Sequence, residues 1–226
     1  MKNAYLLVVV ILWFAHGCSS ARETTTKSGP NSNTTGGSKS TGTGGQTASG
    51  DPKENVIKAA KKLLELPFFT ARMEGVGVNA PQMQLEYAAP DRFRISQTAG
   101  DAGGMQTVYI GDQTYIKPDD IWRKSPSGVG GTMLDMRSMF GVEGLGTLTD
   151  VKFEGEETVL DKPAFIYSYK SNTVMGSHPF TAKVWIGRDN GAPVKVSVNY
   201  SGGAVKQMTI LYDTDTPVKI EPPIIK

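Results

Sequence analysis

Cys18 is the only cysteine among the 226 residues, and its thiol is the strongest nucleophile the chain contains. A lone thiol is a site for covalent modification; it cannot supply an internal disulfide framework or a cysteine zinc site. The other chemistry-bearing residues are sparse. Of the two histidines, His16 lies in the N-terminal segment, and His178 sits before Pro179 in a polar loop where a surface position is expected. Asp119-Asp120 and Asp213-x-Asp215 have calcium-ligand character but not the spacing of a calcium loop, and they suit turns better. No Gly-rich phosphate loop follows a strand, and there is neither a serine elbow nor a zinc-binding helix pattern. The chain therefore offers no acid, base and nucleophile set, and it is expected to be no enzyme and to carry no cofactor or metal. With 24 Lys+Arg against 22 Asp+Glu the net charge is +2, too small for a nucleic-acid footprint.

Cys18 ends an N-terminal leader. Lys2 precedes the apolar run Ala4 to Ala15 (AYLLVVVILWFA), about 12 residues long where a spanning helix takes about 20. Such a run is a signal-peptide core, so residues 1–17 are expected to direct export. Ala15-x-Gly17 and Ser19-x-Ala21 also satisfy the small-x-small rule of ordinary signal peptidase, leaving a soluble exported protein with an incidental thiol as the alternative. Ala15-His16-Gly17-Cys18-Ser19 resembles the lipobox of bacterial lipoproteins, although Ala15 and His16 replace its usual residues. The resemblance implies diacylation of Cys18, cleavage before it and acylation of the new amine. Several chains would anchor firmly where one holds only marginally. Ser19 stands where inner-membrane retention in enterobacteria uses Asp, so the resemblance favours an outer membrane facing the periplasm.

Between anchor and domain lies a tether, residues 18–52. From Ser19 to Gly50, 22 of 32 residues are Ser, Thr or Gly, with no aromatic or large aliphatic side chain. Nothing there offsets the entropy of ordering, so a flexible coil with an r.m.s. span of about 30 Å is expected. The remaining residues, 53–226, suffice for one ordinary domain with its own core.

That domain opens on a helix. Asp51-Pro52-Lys53-Glu54 combines an N-cap acid, a proline at the first helical position and a glutamate placed for a capping box. Val56, Ile57, Ala60, Leu63 and Leu64 recur at three- and four-residue spacing until Pro67. Period-2 alternation then takes over: Met83, Leu85 and Tyr87 against Gln82, Gln84 and Glu86, and Phe93 and Ile95 against Arg92, Arg94 and Ser96. The same signal recurs over 69–78, 105–110, 114–117, 121–124, 151–159, 164–170, 180–186, 194–200 and 205–212. Short turn-forming links such as Ala89-Pro90-Asp91 and Arg188-Asp189-Asn190-Gly191 join them, predicting an antiparallel meander of ten or eleven strands and excluding a parallel βαβ sheet. Between Ser125 and Thr147 the pattern breaks. Ser127 to Gly131 is expected to be flexible, and Thr132 to Phe140 predicts a short Met-rich helix, ended by Gly141, inserted as a flap.

A sheet this wide must curl and be covered. The predicted fold is mainly β (α+β): a single curved antiparallel sheet, or half-barrel, whose concave face is covered by the N-terminal amphipathic helix and the short inserted helix. Two helices mask less apolar surface than the strands present, and an incompletely covered concave face is a binding surface for something apolar. Closure into a filled barrel would consume the same residues.

The order of elements over residues 53–226 resembles the LolA/LolB-like carriers and receptors of periplasmic lipoprotein localisation, and the related mycobacterial LppX/LprG-type lipoproteins that bind acylated glycolipids. Leu85-Glu86-Tyr87, Pro90-Asp91-Arg92-Phe93-Arg94, Tyr109 to Ile116, Ile121-Trp122 and Val184 to Val194 carry the likeness, which is topological. It implies a hydrophobic cavity between sheet and helices that holds an acyl-chain lipid or a lipoprotein. The residues expected to line it are Leu63, Leu64, Met83, Leu85, Tyr87, Phe93, Ile95, Tyr115, Met133, Met136, Phe140, Val184 and Val196. Met133, Met136, Met139 and Phe140 offer adaptable surface for a lid, or ordinary core. Tyr87, Tyr115, Tyr167, Tyr169, Trp122 and Trp185 could edge a pocket mouth or pack structurally. The expectation is a monomeric, membrane-anchored, non-catalytic carrier or receptor. A filled interior would favour instead a cell-envelope scaffold or sensor that binds a protein partner.

Overall fold

The computed structural model describes residues 50–99, 104–118, 120–125, 140–145, 147–172 and 178–225. Cys18 and nearly all of the segments expected to be leader and tether lie outside them, as do Met133, Met136 and Met139 of the insert. Helix α1 spans Pro52–Glu65, with the Asp51 carboxylate accepting from the Lys53 backbone N–H at 2.8 Å as its N-cap. Glu54, expected in a capping box, reaches Lys58 Nζ at 3.4 Å. Val56, Ala59, Ala60 and Leu63 form the buried stripe, and the helix ends at Leu66, because the residue before a proline is driven out of the helical region.

Eleven strands follow: β1 (Phe68–Gly77), β2 (Gln82–Ala88), β3 (Arg92–Gln97), β4 (Gln106–Ile110), β5 (Gln113–Lys117), β6 (Arg123–Lys124), β7 (Thr149–Val159), β8 (Lys162–Ser171), β9 (Phe180–Gly187), β10 (Pro193–Tyr200) and β11 (Val205–Asp213). They make one antiparallel sheet in the order β6-β5-β4-β3-β2-β1-β11-β10-β9-β8-β7. Each half is a meander of hairpins, and among the described residues the sheet joins the two halves where β1 pairs with β11. The sheet is curved and does not close, so the half-barrel expected from the alternation is borne out. Among the described residues its edge strands are β6 and β7, which follow one another in strand order.

Two local expectations change. The strand predicted over 121–124 shrinks to Arg123–Lys124, where Asp120 with φ of 60° still belongs to the preceding turn. Of the insert, the described part holds Phe140 and, beyond Gly141, a single helical turn α2 (Val142–Leu145), so the chain resumes helix after the glycine expected to end it. The β7–β8 hairpin turns on Leu160 and Asp161, both at positive φ (49° and 61°), as a two-residue type I′ turn demands.

Candidate functional site

Side chains of residues paired across an antiparallel ladder point to the same face. Following the registers outward therefore sorts the sheet. One row runs Thr114, Tyr109, Phe93, Tyr87, Phe69. The next runs Ile116, Thr107, Ile95, Leu85, Ala71, Tyr212. A third crosses both halves: Gln97, Met83, Met73, Ile210, Val196, Val184, Tyr167, Phe153. A fourth holds Gly75, Met208, Val198, Ala182 and Tyr169, and a fifth Tyr200, Phe180 and Ser171. The second row continues at the β6 edge to Arg123, which pairs with Ile116, and a further row runs Ile186, Phe165, Glu156, where Arg188 meets the Glu156 carboxylate at 3.0 Å. Helix α1 lies on this face, so it is the concave one.

The helix bridges two clusters. Val56 and Ala59 pack with Phe165, Tyr167, Tyr169, Phe180, Ala182 and Val184, while Leu63 packs with Phe69, Leu85, Tyr87, Phe93, Tyr109 and Tyr212. Val196 leans on both. Asn55 Nδ2 donates to the Tyr167 hydroxyl at 3.1 Å and ties the start of the helix to β8. Around Phe69 the trough is filled: its ring lies 5.0 Å from Tyr87, 6.0 Å from Phe140 and 6.1 Å from Tyr212. Further along the same strands the cover thins. Met83, Ile95, Ile116, Met208 and Ile210 all remain half-buried, with Thr107 standing between Ile116 and Ile95.

Among these apolar rows stand several phenol groups. Tyr169 and Tyr212 are each 6% exposed. Burial, reinforced by the neighbouring Tyr200, pushes the Tyr169 hydroxyl up to about 12, and burial, reinforced by Tyr169, pushes Tyr212 up as well. Burial also raises Tyr109 and Tyr200. Tyr200 opens at its other side onto a groove of about 390 Å³ at the ends of β8, β9 and β10, lined also by Thr149, Ser171, Phe180 and Asn199. No group of three or more His, Cys, Asp or Glu capable of holding a metal occurs among the described residues.

The structure brings most of the expected lining together. Leu63, Leu85, Tyr87, Phe93 and Phe140, with Leu64, Met83 and Ile95 against them, share one cluster; Val184 lies in the other, and Val196 sits between. Met133, Met136 and the lipidation candidate Cys18 fall outside the described residues. Tyr115 is a correction. It pairs with Val108, which occupies the face opposite Tyr109, and the two pack with Ile220 and Trp122 on the convex side. There the C-terminal segment covers them, with Arg92 Nη1 donating to the Ile220 carbonyl at 2.7 Å. Trp185 is convex too, its Nε1–H donating to Glu157 at 2.7 Å and Lys195 lying 4.4 Å above its ring. Residues not singled out as lining include Phe69, Met73, Tyr109, Ile210 and Tyr212. The alternation of Phe69, Ala71 and Met73 was a usable signal, whereas the run Ile210-Leu211-Tyr212 is apolar at every position and hides its parity.

No protein-family model matches the sequence, and no curated protein matches it. Solved structures do match. The Mycobacterium tuberculosis lipoprotein LppX is 15% identical with a TM-score of 0.56, over 75% of this chain and 98% of its own. LprF from Mycobacterium bovis is 11% identical with a TM-score of 0.57, over 76% of this chain and 96% of its own. The chain is similar to both in fold, as its order of elements led one to expect.

Proposed function

We propose that the protein is an exported, lipid-anchored envelope lipoprotein that binds or carries an acyl-chain ligand in the concave trough, without catalysing a reaction on it. The observation that carries this reading is the strip Met83, Ile95, Ile116, Met208 and Ile210, apolar and half-buried on the face that α1 only partly covers. Burying such surface contributes about 25 cal/mol per Å², less the costs of ordering, so a useful affinity needs a long chain. The likeness in fold to LppX and LprF supports the reading, as do the leader, Cys18 and the tether, which give the domain a membrane and some reach from it. Cys18 is the proposed point of lipidation, with Met133 and Met136 as lid residues over the ligand.

The test is native mass spectrometry of the full chain purified from bacterial membranes, followed by denaturation and lipid extraction. Co-purifying acylated species, released on denaturation, are the expected result; a bare mass together with no uptake of a fluorescent fatty-acid probe would overturn the carrier. Cys18→Ser should abolish incorporation of labelled palmitate and release the protein from the membrane fraction. A second reading, a scaffold or sensor that binds a protein partner, draws on the filled aromatic end around Phe69, and a bare mass would favour it.

A further inference from the structure

The concave side carries charge at its margins. At the β6 edge Arg123 pairs across the ladder with Ile116, which pairs in turn with Thr107, opposite Ile95. The register thus sets an exposed guanidinium on the same face as the apolar strip, at its outer end. Lys124, the next residue, pairs with Tyr115 and belongs to the convex side. On the other half of the sheet Arg188 is taken up by Glu156 at 3.0 Å, and its guanidinium lies 5.3 Å above the Phe165 ring. Arg123 also makes an interaction within the protein, and the five N–H donors of a guanidinium leave room for a further acceptor. From Ile116 on β5 to Ile210 on β11 are five strand steps, about 24 Å along the sheet at about 4.8 Å each. An extended hydrocarbon of about 16 to 20 carbons, with C–C bonds of about 1.5 Å, has that length. Beyond Ile210 the row passes through Val196 to Val184, against which Val56 and Ala59 of α1 pack.

We propose that Arg123 receives the anionic oxygens of an acidic lipid, a carboxylate or a phosphate monoester, whose chain lies across the strands in the strip with its methyl end toward α1. The inference rests on the acyl-chain reading above and adds to it a head group and a direction. A guanidinium meets two oxygens of either group as a fork. At the exposed edge the head group keeps part of its water, so the pairing costs little desolvation. The opposite orientation would carry the anion to Val196 and Val184, beneath α1 and away from water.

The experiment titrates the full chain, stripped of bound lipid, with two acid–neutral pairs at mildly alkaline pH: palmitate against methyl palmitate, and palmitoyl lysophosphatidate against monopalmitoylglycerol. It compares the wild type with Arg123→Gln and with Lys124→Gln, which removes the same charge from the opposite face. Near-ultraviolet circular dichroism confirms the fold of each variant. In the wild type the acid of at least one pair should bind more tightly than its neutral counterpart, and that pair identifies the head group. Arg123→Gln should weaken this acid by about threefold to fivefold, within the range of exposed ion pairs, and leave the neutral lipid unchanged. Lys124→Gln should alter neither. Acid preference in neither pair, an unchanged preference in Arg123→Gln, or an equal loss in Lys124→Gln would overturn the site while leaving the acyl-chain reading intact. Failure of all four lipids to bind would overturn both.

Discussion

The phenol groups of the trough also fix how the protein answers to alkali. An unfolded tyrosine ionises near about pH 10, whereas burial holds Tyr169 at about 12 and Tyr212 upward of its ordinary value. The unfolded chain loses these protons first, so the stability they hold is complete below about pH 10 and is lost as pH climbs through the folded values. Following tyrosinate absorbance and backbone ellipticity together, we expect these two groups to ionise only as the sheet unfolds, and the Tyr212→Phe variant to unfold at higher pH. Reversible ionisation of every tyrosine near pH 10 in the folded protein would contradict this burial. At Gly77 the constraint is steric. Its φ is 136°, and a Cβ there would run into the Ala204 carbonyl oxygen, at the point where the β1–β11 register shifts. Gly77→Ala is expected to destabilise the domain by about 2 kcal/mol or more, read from urea unfolding.

At the scale of elements, α1 and the C-terminal segment do opposite jobs on opposite faces. Leu63 is 1% exposed and belongs to the cluster around Phe69, so Leu63→Ala should cost about 2–5 kcal/mol, while Asp51→Ala should cost only about 1 kcal/mol through loss of the N-cap. Ile220, also 1% exposed, pins the last segment over Val108 and Tyr115. Ile220→Ala should lower stability by about 2–4 kcal/mol in the same assay and leave ligand binding on the concave side unchanged. That segment also explains which parts of the sheet the sequence conceals. Strands covered on one face alternate openly, and Met83-Leu85-Tyr87 and Phe93-Ile95 are assigned correctly from sequence alone. In β4 and β5 both faces are covered, so Val108 and Tyr109 are both buried and Thr114 and Tyr115 are both buried. Alternation is silent there, and Tyr115 is placed on the wrong side because nothing in Val218-Lys219-Ile220 announces that it will lie across the convex face.

For the whole molecule, eleven strands and their antiparallel links follow from period-2 patterning and turn residues, because those are local effects. The central pairing does not, since Thr70 and Asp213 meet across about 140 residues and no local signal couples them. The same long-range pairing predicts how truncation acts. A chain ending after Tyr200 lacks β11 and should be insoluble, whereas removal of residues 222–226 should leave solubility and thermal midpoint nearly unchanged, both checked by expression and differential scanning calorimetry.

The seam between β1 and β11 also sets a timetable. As the chain folds, the first six strands can pair among themselves, but the outer edge of β1 stays bare until the last strand arrives, and β10 waits equally for its neighbour. An unpaired edge is a template for the wrong partner. The β1 edge therefore stays open from the pairing of the first six strands until Val205–Asp213 arrives, and the exposure to misassembly ends with that single docking event.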